Sequence, residues 1–271
     1  MSIIHSVILG ILQGIAEFLP ISSSGHLALA RHFLELEDVP LLFDVFLHLA
    51  TLCAVILFFR KTIARLFCAF GRMLLLKKAE GQEVEYRLYV AGVLIVTAIT
   101  GCIGILVEKK LGSLPLRYIC IGFIFTGLLL VISTLICKRL HDTDDKSQIS
   151  PSLKQSIVIG LAQGIGTLPG VSRSGSTISA ALLCGVTREV AGEFSFIASI
   201  PAILGAFILE LKELKDVTSS IGIVSLTAGG ITAFVSGIIA LSLLMKLIKN
   251  GKLGWFACYL IPAGILGLLF L

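Results

Sequence analysis

Residues 6–25 and 156–175 are two copies of one segment, and this duplication limits the architecture of the chain more than any other feature. Set at an offset of 150 positions, SVILGILQGIAEFLPISSSG lies over SIVIGLAQGIGTLPGVSRSG. Ser6, Gly10, Gln13, Gly14, Ile15, Ser22, Ser24 and Gly25 are repeated as Ser156, Gly160, Gln163, Gly164, Ile165, Ser172, Ser174 and Gly175, where unrelated segments would share about one or two residues. The apolar stretches that contain the copies, 3–33 and 153–186, are split by Pro, Gly and Ser clusters. Broken segments of this kind are tolerated at membrane depth only when buried in protein or lining a cavity.

A membrane is what the composition demands. The 271 residues are 56% hydrophobic and only 14% charged, against about 25% charged in soluble domains, and the mean hydropathy is +1.00. About 20 apolar residues cross a bilayer core, and six windows satisfy this: Leu41 to Phe59, Tyr86 to Val107, Leu116 to Cys137, Phe194 to Leu211, Ile221 to Met245 and Leu253 to Leu271. Three windows lie between the two copies, an odd number, so the second copy is expected upside down relative to the first. The sequence therefore predicts an all-α polytopic membrane protein with six transmembrane helices plus two re-entrant helical hairpins. It forms one membrane domain over 1–271, made of inverted-topology repeats at about 1–137 and 151–271 with a polar linker at 138–150.

Orientation follows from the basic residues. With the 60–87 loop inside, 15 of the 22 Lys and Arg fall on that side; Arg31, Lys109, Lys110, Arg117, Lys212 and Lys215 fall outside, and Arg173 lies within the second broken segment. Both termini are expected to face outward. Thr62 to Leu76 mixes apolar and basic positions and reads as an amphipathic helix along the inner surface. The N-terminus lacks a basic region and a cleavage site, so no signal peptide is expected. The seven cysteines show no metal-ligand spacing and read as small packing residues. The net charge of +5 belongs to loop cations and implies no nucleic-acid partner.

The copies differ where chemistry would sit. Glu17 is matched by Thr167, Ser23 by Arg173 and His26 by Ser176. A carboxylate in an apolar helix is costly and marks function, although Glu17 and Arg173 also suit a structural ion pair between the repeats. Arg173, between Ser172 and Ser174 at a helix start, suits an oxyanion. The first segment reads as a short helix, a turn from Pro20 to Ser24, and a second helix from Gly25 to about Phe33, with Ser22, Ser23 and Ser24 as N-cap candidates. Ser23 with His26 three positions on suits nucleophilic phosphoryl transfer, and a serine-rich turn equally suits a cap. Asp44 and His48, four apart on one face, could line the site or support it. Glu193 reads as a helix-end acid, and Gln13 and Gln163 as a matched polar pair. His5 and His32 are read as interfacial.

With these residues assembled, the chain resembles the undecaprenyl-diphosphate phosphatase family, integral membrane phosphatases of the bacitracin-resistance type. The first family signature matches at Gln13, Glu17, Pro20, Ser22, Ser23, Gly25 and His26, and the second at Pro169, Gly170, Ser172, Arg173, Ser174, Gly175 and Thr177. FDVFLHLATL and EFSFIASIP extend the likeness over nearly the whole chain. One family acidic position is Gln13 here, which leaves Glu17 as the only carboxylate of that element.

The resemblance implies hydrolysis of a polyprenyl diphosphate to its monophosphate, recycling the lipid carrier of cell-wall synthesis in the bacterial cytoplasmic membrane, with the site open to the outer face. It implies Glu17, Ser23, His26 and Arg173 as catalytic residues, and Ser22, Ser24, Ser172, Ser174, Thr177 and Gln13 on the phosphates. It also implies a divalent cation, Mg2+ or Ca2+, with Glu17 either binding it or orienting His26. A homodimer is left open. The competing reading of the inverted repeat is a polyprenyl-phosphate transporter or flippase; a channel fits less well, because nothing resembles a filter. Release of inorganic phosphate separates hydrolase from carrier.

Overall fold

The computed structural model describes residues 1–36, 39, 41–111, 115–140, 148–213 and 222–271. Among these there are eleven α-helices and no strand: α1 Ile3–Phe18, α2 Ser23–Phe33, α3 Leu41–Phe58, α4 Arg60–Leu74, α5 Gln82–Leu111, α6 Leu116–Leu140, α7 Leu153–Ile165, α8 Arg173–Leu183, α9 Arg188–Glu213, α10 Ile223–Lys249 and α11 Ala257–Phe270. A 3-10 turn, Leu253–Phe256, leads into α11. Linker residues 141–147, Lys215 and Ile221 lie outside the described residues, as do the side chains of Lys109, Lys110 and Lys212.

Five of the six expected windows fall in elements long and apolar enough to span a bilayer. The sixth reaches that length only together with α4, from which α3 is bent by 83° at Phe59. The bend turns the basic, amphipathic helix expected at Thr62 to Leu76 away from the span. It buries Leu66 and Ala69 and leaves Phe67, Leu74 and Leu75 exposed. At the other end of the first half α6 runs to Leu140, three residues into the segment read as linker.

The duplication reappears in the helices. α2 and α8 begin and end at positions 150 apart. Ser2 caps α1 by accepting from His5 N–H, and its counterpart Ser152 caps α7 in a reciprocal box with Gln155. α1 stops at Phe18 because Leu19 precedes Pro20 and takes an extended backbone, ψ 143°. Helix α2 starts at Ser23, two residues earlier than expected, because Ser22 is the cap.

Each short first helix packs on a helix of the opposite half, α1 on α10 and α7 on α5. Glycines permit the close approach. A methyl at Gly10 would strike Gly229 O, and one at Gly160 would lie 3.1 Å from the Val96 Cα. Without a water-driven force between helices in lipid, such small-residue contacts supply the attraction. They bring the two broken turns together: a methyl at Gly175 would lie 3.2 Å from Pro20 Cβ and 3.1 Å from Thr126 Cγ2.

Candidate active site

Glu17 sits in the last turn of α1, 8% exposed, and four side chains converge on it. Its Oε1 accepts from an Arg173 guanidinium N–H. Its Oε2 accepts from Ser23 Oγ at 2.6 Å and from Gln13 Nε2 at 3.2 Å. The fourth, His48, places Nε2 4.0 Å from Oε2. An ion pair this deep needs such extra donors, because desolvation otherwise outweighs the attraction.

Local folding explains each placement. The extended Leu19 reverses the chain after Glu17, so Ser23 returns to it six residues later. Ser22 caps α2 through Gly25 N–H, with a backbone φ of +73°, uncommon outside glycine. Arg173 opens α8 because Ser172 caps that helix, accepting from Gly175 N–H at 3.1 Å. Ser172 donates its own N–H to Thr126 Oγ1 at 3.0 Å. First-turn N–H groups of a helix have no intrahelical acceptor, so those of Arg173 and Ser174 remain available beside the guanidinium.

This cluster forms the polar floor of a cavity of about 710 Å3. Glu17, Ser22, Ser23, Ser24, His48, Ser172 and Arg173 are on its surface, and its walls come from the C-terminal stretches of α5 (Thr97 to Val107) and α9 (Pro201 to Leu209). A charged floor under mostly apolar walls accommodates an amphiphile with an anionic head.

The remaining expected site residues are placed elsewhere. Gln13 is fully buried and supports Glu17, and it is not on the cavity surface. Ser174 and Thr177 line a separate void of about 10 Å3 behind the ion pair, together with Thr51, Ser195 and Ser199. Thr177 Oγ1 donates back to Arg173 O and Ser174 O. His26 is not brought to Ser23. Its Nδ1 lies 2.8 Å from Ser22 O and its Nε2 2.7 Å from Tyr259 Oη, and its ring is stacked 4.8 Å from Phe123. Asp44 pairs with Arg31. Glu193 lies in a different cavity, where it accepts from Thr62 at 3.4 Å.

His48, rather than His26, is the histidine beside Glu17. Its Nδ1 is 2.9 Å from Asp44 O, which turns Nε2 toward Glu17. The i, i+4 spacing of Asp44 and His48 marked the residue in the sequence, but no sequence signal marked Thr126 or Tyr259.

Among the described residues no three His, Cys, Asp or Glu side chains converge as a metal cage. Mg2+ and Ca2+ need several oxygen ligands, and Mg2+ often takes one or two carboxylates plus substrate phosphates. One carboxylate already paired with arginine fits only a cation that brings most of its oxygens with it.

Known proteins resemble the chain over its whole length. It is 50% identical over 265 residues to an undecaprenyl-diphosphatase of Treponema denticola, covering 98% of this chain and 96% of that protein. Undecaprenyl-diphosphatases of Methanobrevibacter smithii and Borrelia hermsii are 42% and 40% identical, each covered to 96%. The sequence profile of the family described as bacitracin resistance protein BacA matches residues 6–266. The chain belongs to that family.

Proposed function

We propose that this protein hydrolyses undecaprenyl diphosphate to undecaprenyl monophosphate and inorganic phosphate, and that the Glu17, Ser23 and Arg173 cluster does the chemistry. The observation that carries the reading is a serine hydroxyl 2.6 Å from a buried carboxylate that also grips an arginine 156 positions away, on the floor of an apolar-walled cavity.

Arg173 and the first N–H groups of α8 hold the terminal phosphate, using planar, charge-assisted donors at a helix N-terminus. Ser23 Oγ attacks the terminal phosphorus in line while its proton passes to Glu17 Oε2. The bond from that phosphorus to the bridging oxygen breaks, and undecaprenyl monophosphate leaves. Water then cleaves the phosphoserine, giving up its proton to the site and freeing inorganic phosphate. His48 Nε2 moves protons between Glu17 and the leaving oxygen. Glu17 would hold a divalent cation, which would neutralise charge on the diphosphate. His26 positions the turn by holding the Ser22 carbonyl in its uncommon conformation.

The site opens toward the outer membrane face: its walls are the C-terminal ends of α5 and α9, and the basic residues favour the other ends of these helices inside. The inverted arrangement of the repeats and the outward termini belong to this reading, as does α4 lying along the inner surface.

Phosphate release from a prenyl diphosphate by purified protein in detergent, with and without a chelator, tests the proposal. Ser23→Ala, Glu17→Ala and Arg173→Ala should each abolish release. A phosphoserine should be trapped at Ser23 under single-turnover conditions. Release that persists in Ser23→Ala would instead mean direct attack by water.

A further inference from the structure

Most glycines in the long spans α5, α6, α9, α10 and α11 admit a neighbouring element, and three do not. A methyl at Gly101 or Gly205 would meet nothing within 4 Å, and one at Gly104 would meet only Thr167 Cγ2, at 3.9 Å. Every other described glycine of these five helices, Gly92 and Gly192 among them, stands where a methyl would reach another element at 2.9 Å or less. Glycine weakens a helix interior relative to alanine, and in membrane helices close packing is its usual compensation. Gly101, Gly104 and Gly205 lack that compensation.

All three line the substrate cavity. Gly101 and Gly205 are exposed, so their backbone is open to an occupant. Near their starts α5 and α9 touch: the rings of Tyr89 and Phe194 are 5.0 Å apart, and a methyl at Gly92 would lie 3.2 Å from Phe194. Toward their C-terminal ends the two helices part around the cavity, and the small residues Gly101, Gly104, Ala202, Gly205 and Ala206 form its walls there. About one turn farther on, the walls become bulky and apolar at Ile105, Val107, Phe207 and Leu209.

We propose that Gly101, Gly104 and Gly205 determine specificity by keeping open a lane for the prenyl chain. In this lane the methyl-branched units next to the diphosphate leave the charged floor and pass between the parted ends of α5 and α9 into the lipid. A cavity of about 710 Å3 takes a ligand of drug size. An undecaprenyl chain is too long to stay inside it and has to leave sideways. Bare backbone gives the first methyl branches room that larger side chains would fill. The inference rests on the phosphatase reading for its ligand, and it adds which residues select the chain and where the chain exits.

The test is calorimetric titration of the full-length protein in detergent with farnesyl methylenediphosphonate, whose bridging carbon resists hydrolysis, and separately with methylenediphosphonate, the head alone. Gly101→Leu/Gly205→Leu should weaken the farnesyl compound by about tenfold or more and leave the head within about twofold. Gly101→Ala/Gly205→Ala should melt no lower than wild type, because both methyls enter open space, whereas Gly92→Ala should melt lower. Undiminished farnesyl binding in the leucine variant would overturn the proposal, as would a loss shared equally by the head. A lowered melting temperature in the double alanine variant would overturn it too, by making these glycines packing residues. Phosphate release from farnesyl diphosphate is measured in parallel. No release by wild type, with farnesyl binding still sensitive to the leucines, would end the phosphatase reading and support the lane.

Discussion

The two broken hairpins, α1 with α2 and α7 with α8, share a frame and differ in what they hold. Positions identical between them do structural work in both: Ser2 and Ser152 cap, Gly10 and Gly160 admit a neighbouring helix, and Ser22 and Ser172 cap the second helix. Gln13 and Gln163 donate to different partners, Glu17 and Thr100, and each leaves its Oε1 buried without one. In the proposed mechanism, positions that differ carry the chemistry. Ser23 and Glu17 come from the first hairpin and Arg173 from the second. The backbone differs as well: Ser22 has φ +73°, whereas Ser172 has an ordinary −80°. A duplicated scaffold thus supplies two similar helix starts, and substitution at matched positions places a hydroxyl and a carboxylate on one and a guanidinium on the other.

The comparison breaks most completely at the ion pair. Removing one member of a buried pair leaves the other uncompensated and costs about 3–5 kcal/mol. Arg173→Ala is therefore expected to abolish phosphate release and lower the melting temperature in detergent by several degrees. Glu17→Gln/Arg173→Gln should recover most of the melting temperature and none of the activity. If the double variant melts as low as the single one, the pair is not what joins the hairpins.

His48→Gln comes next. Proton transfer by a positioned side chain contributes about 10²–10⁴-fold, so kcat should fall by that order with KM and the melting temperature little changed. A purely structural His48 would lower the melting temperature along with kcat.

Tyr259→Phe sharpens the difference between His26 and its counterpart Ser176. It removes one hydrogen bond to His26 Nε2, worth about 1 kcal/mol net, and should lower kcat about fivefold through the Ser22 turn. An unchanged kcat would show that the turn holds without this contact. The smallest effect concerns the two caps. Glycine replaces a capping serine at a cost of a few tenths of a kcal/mol, and relief of a positive φ returns about 1 kcal/mol. Ser22→Gly should therefore raise the melting temperature slightly and Ser172→Gly lower it. The reverse order would mean that Ser22 is unstrained.

Much of this arrangement was legible in the sequence. Apolar length and the offset of 150 marked the spans and both broken hairpins, because hydropathy, capping and proline act over a few residues. Glu17 and Arg173 stood out as charges that lipid would not tolerate alone. Other assignments shifted once helices packed. Ser174 and Thr177 share α8 with Arg173, yet they line the void behind it because a helix presents its faces in turn. The bend at Phe59, by contrast, falls where the sequence ended the first span and began the amphipathic helix, although no proline or glycine stands there.

By itself the sequence determined an all-α membrane protein built on a duplicated broken helix, with acid and hydroxyl in one copy and guanidinium in the other. Only the tertiary structure decided which histidine meets the carboxylate. His26 is three residues from Ser23 and is drawn to Tyr259, 233 positions away, while His48 crosses from α3 to Glu17. The reason is range: hydropathy and caps are set by neighbours along the chain, whereas a hydrogen bond near 3 Å depends on how whole helices settle against one another.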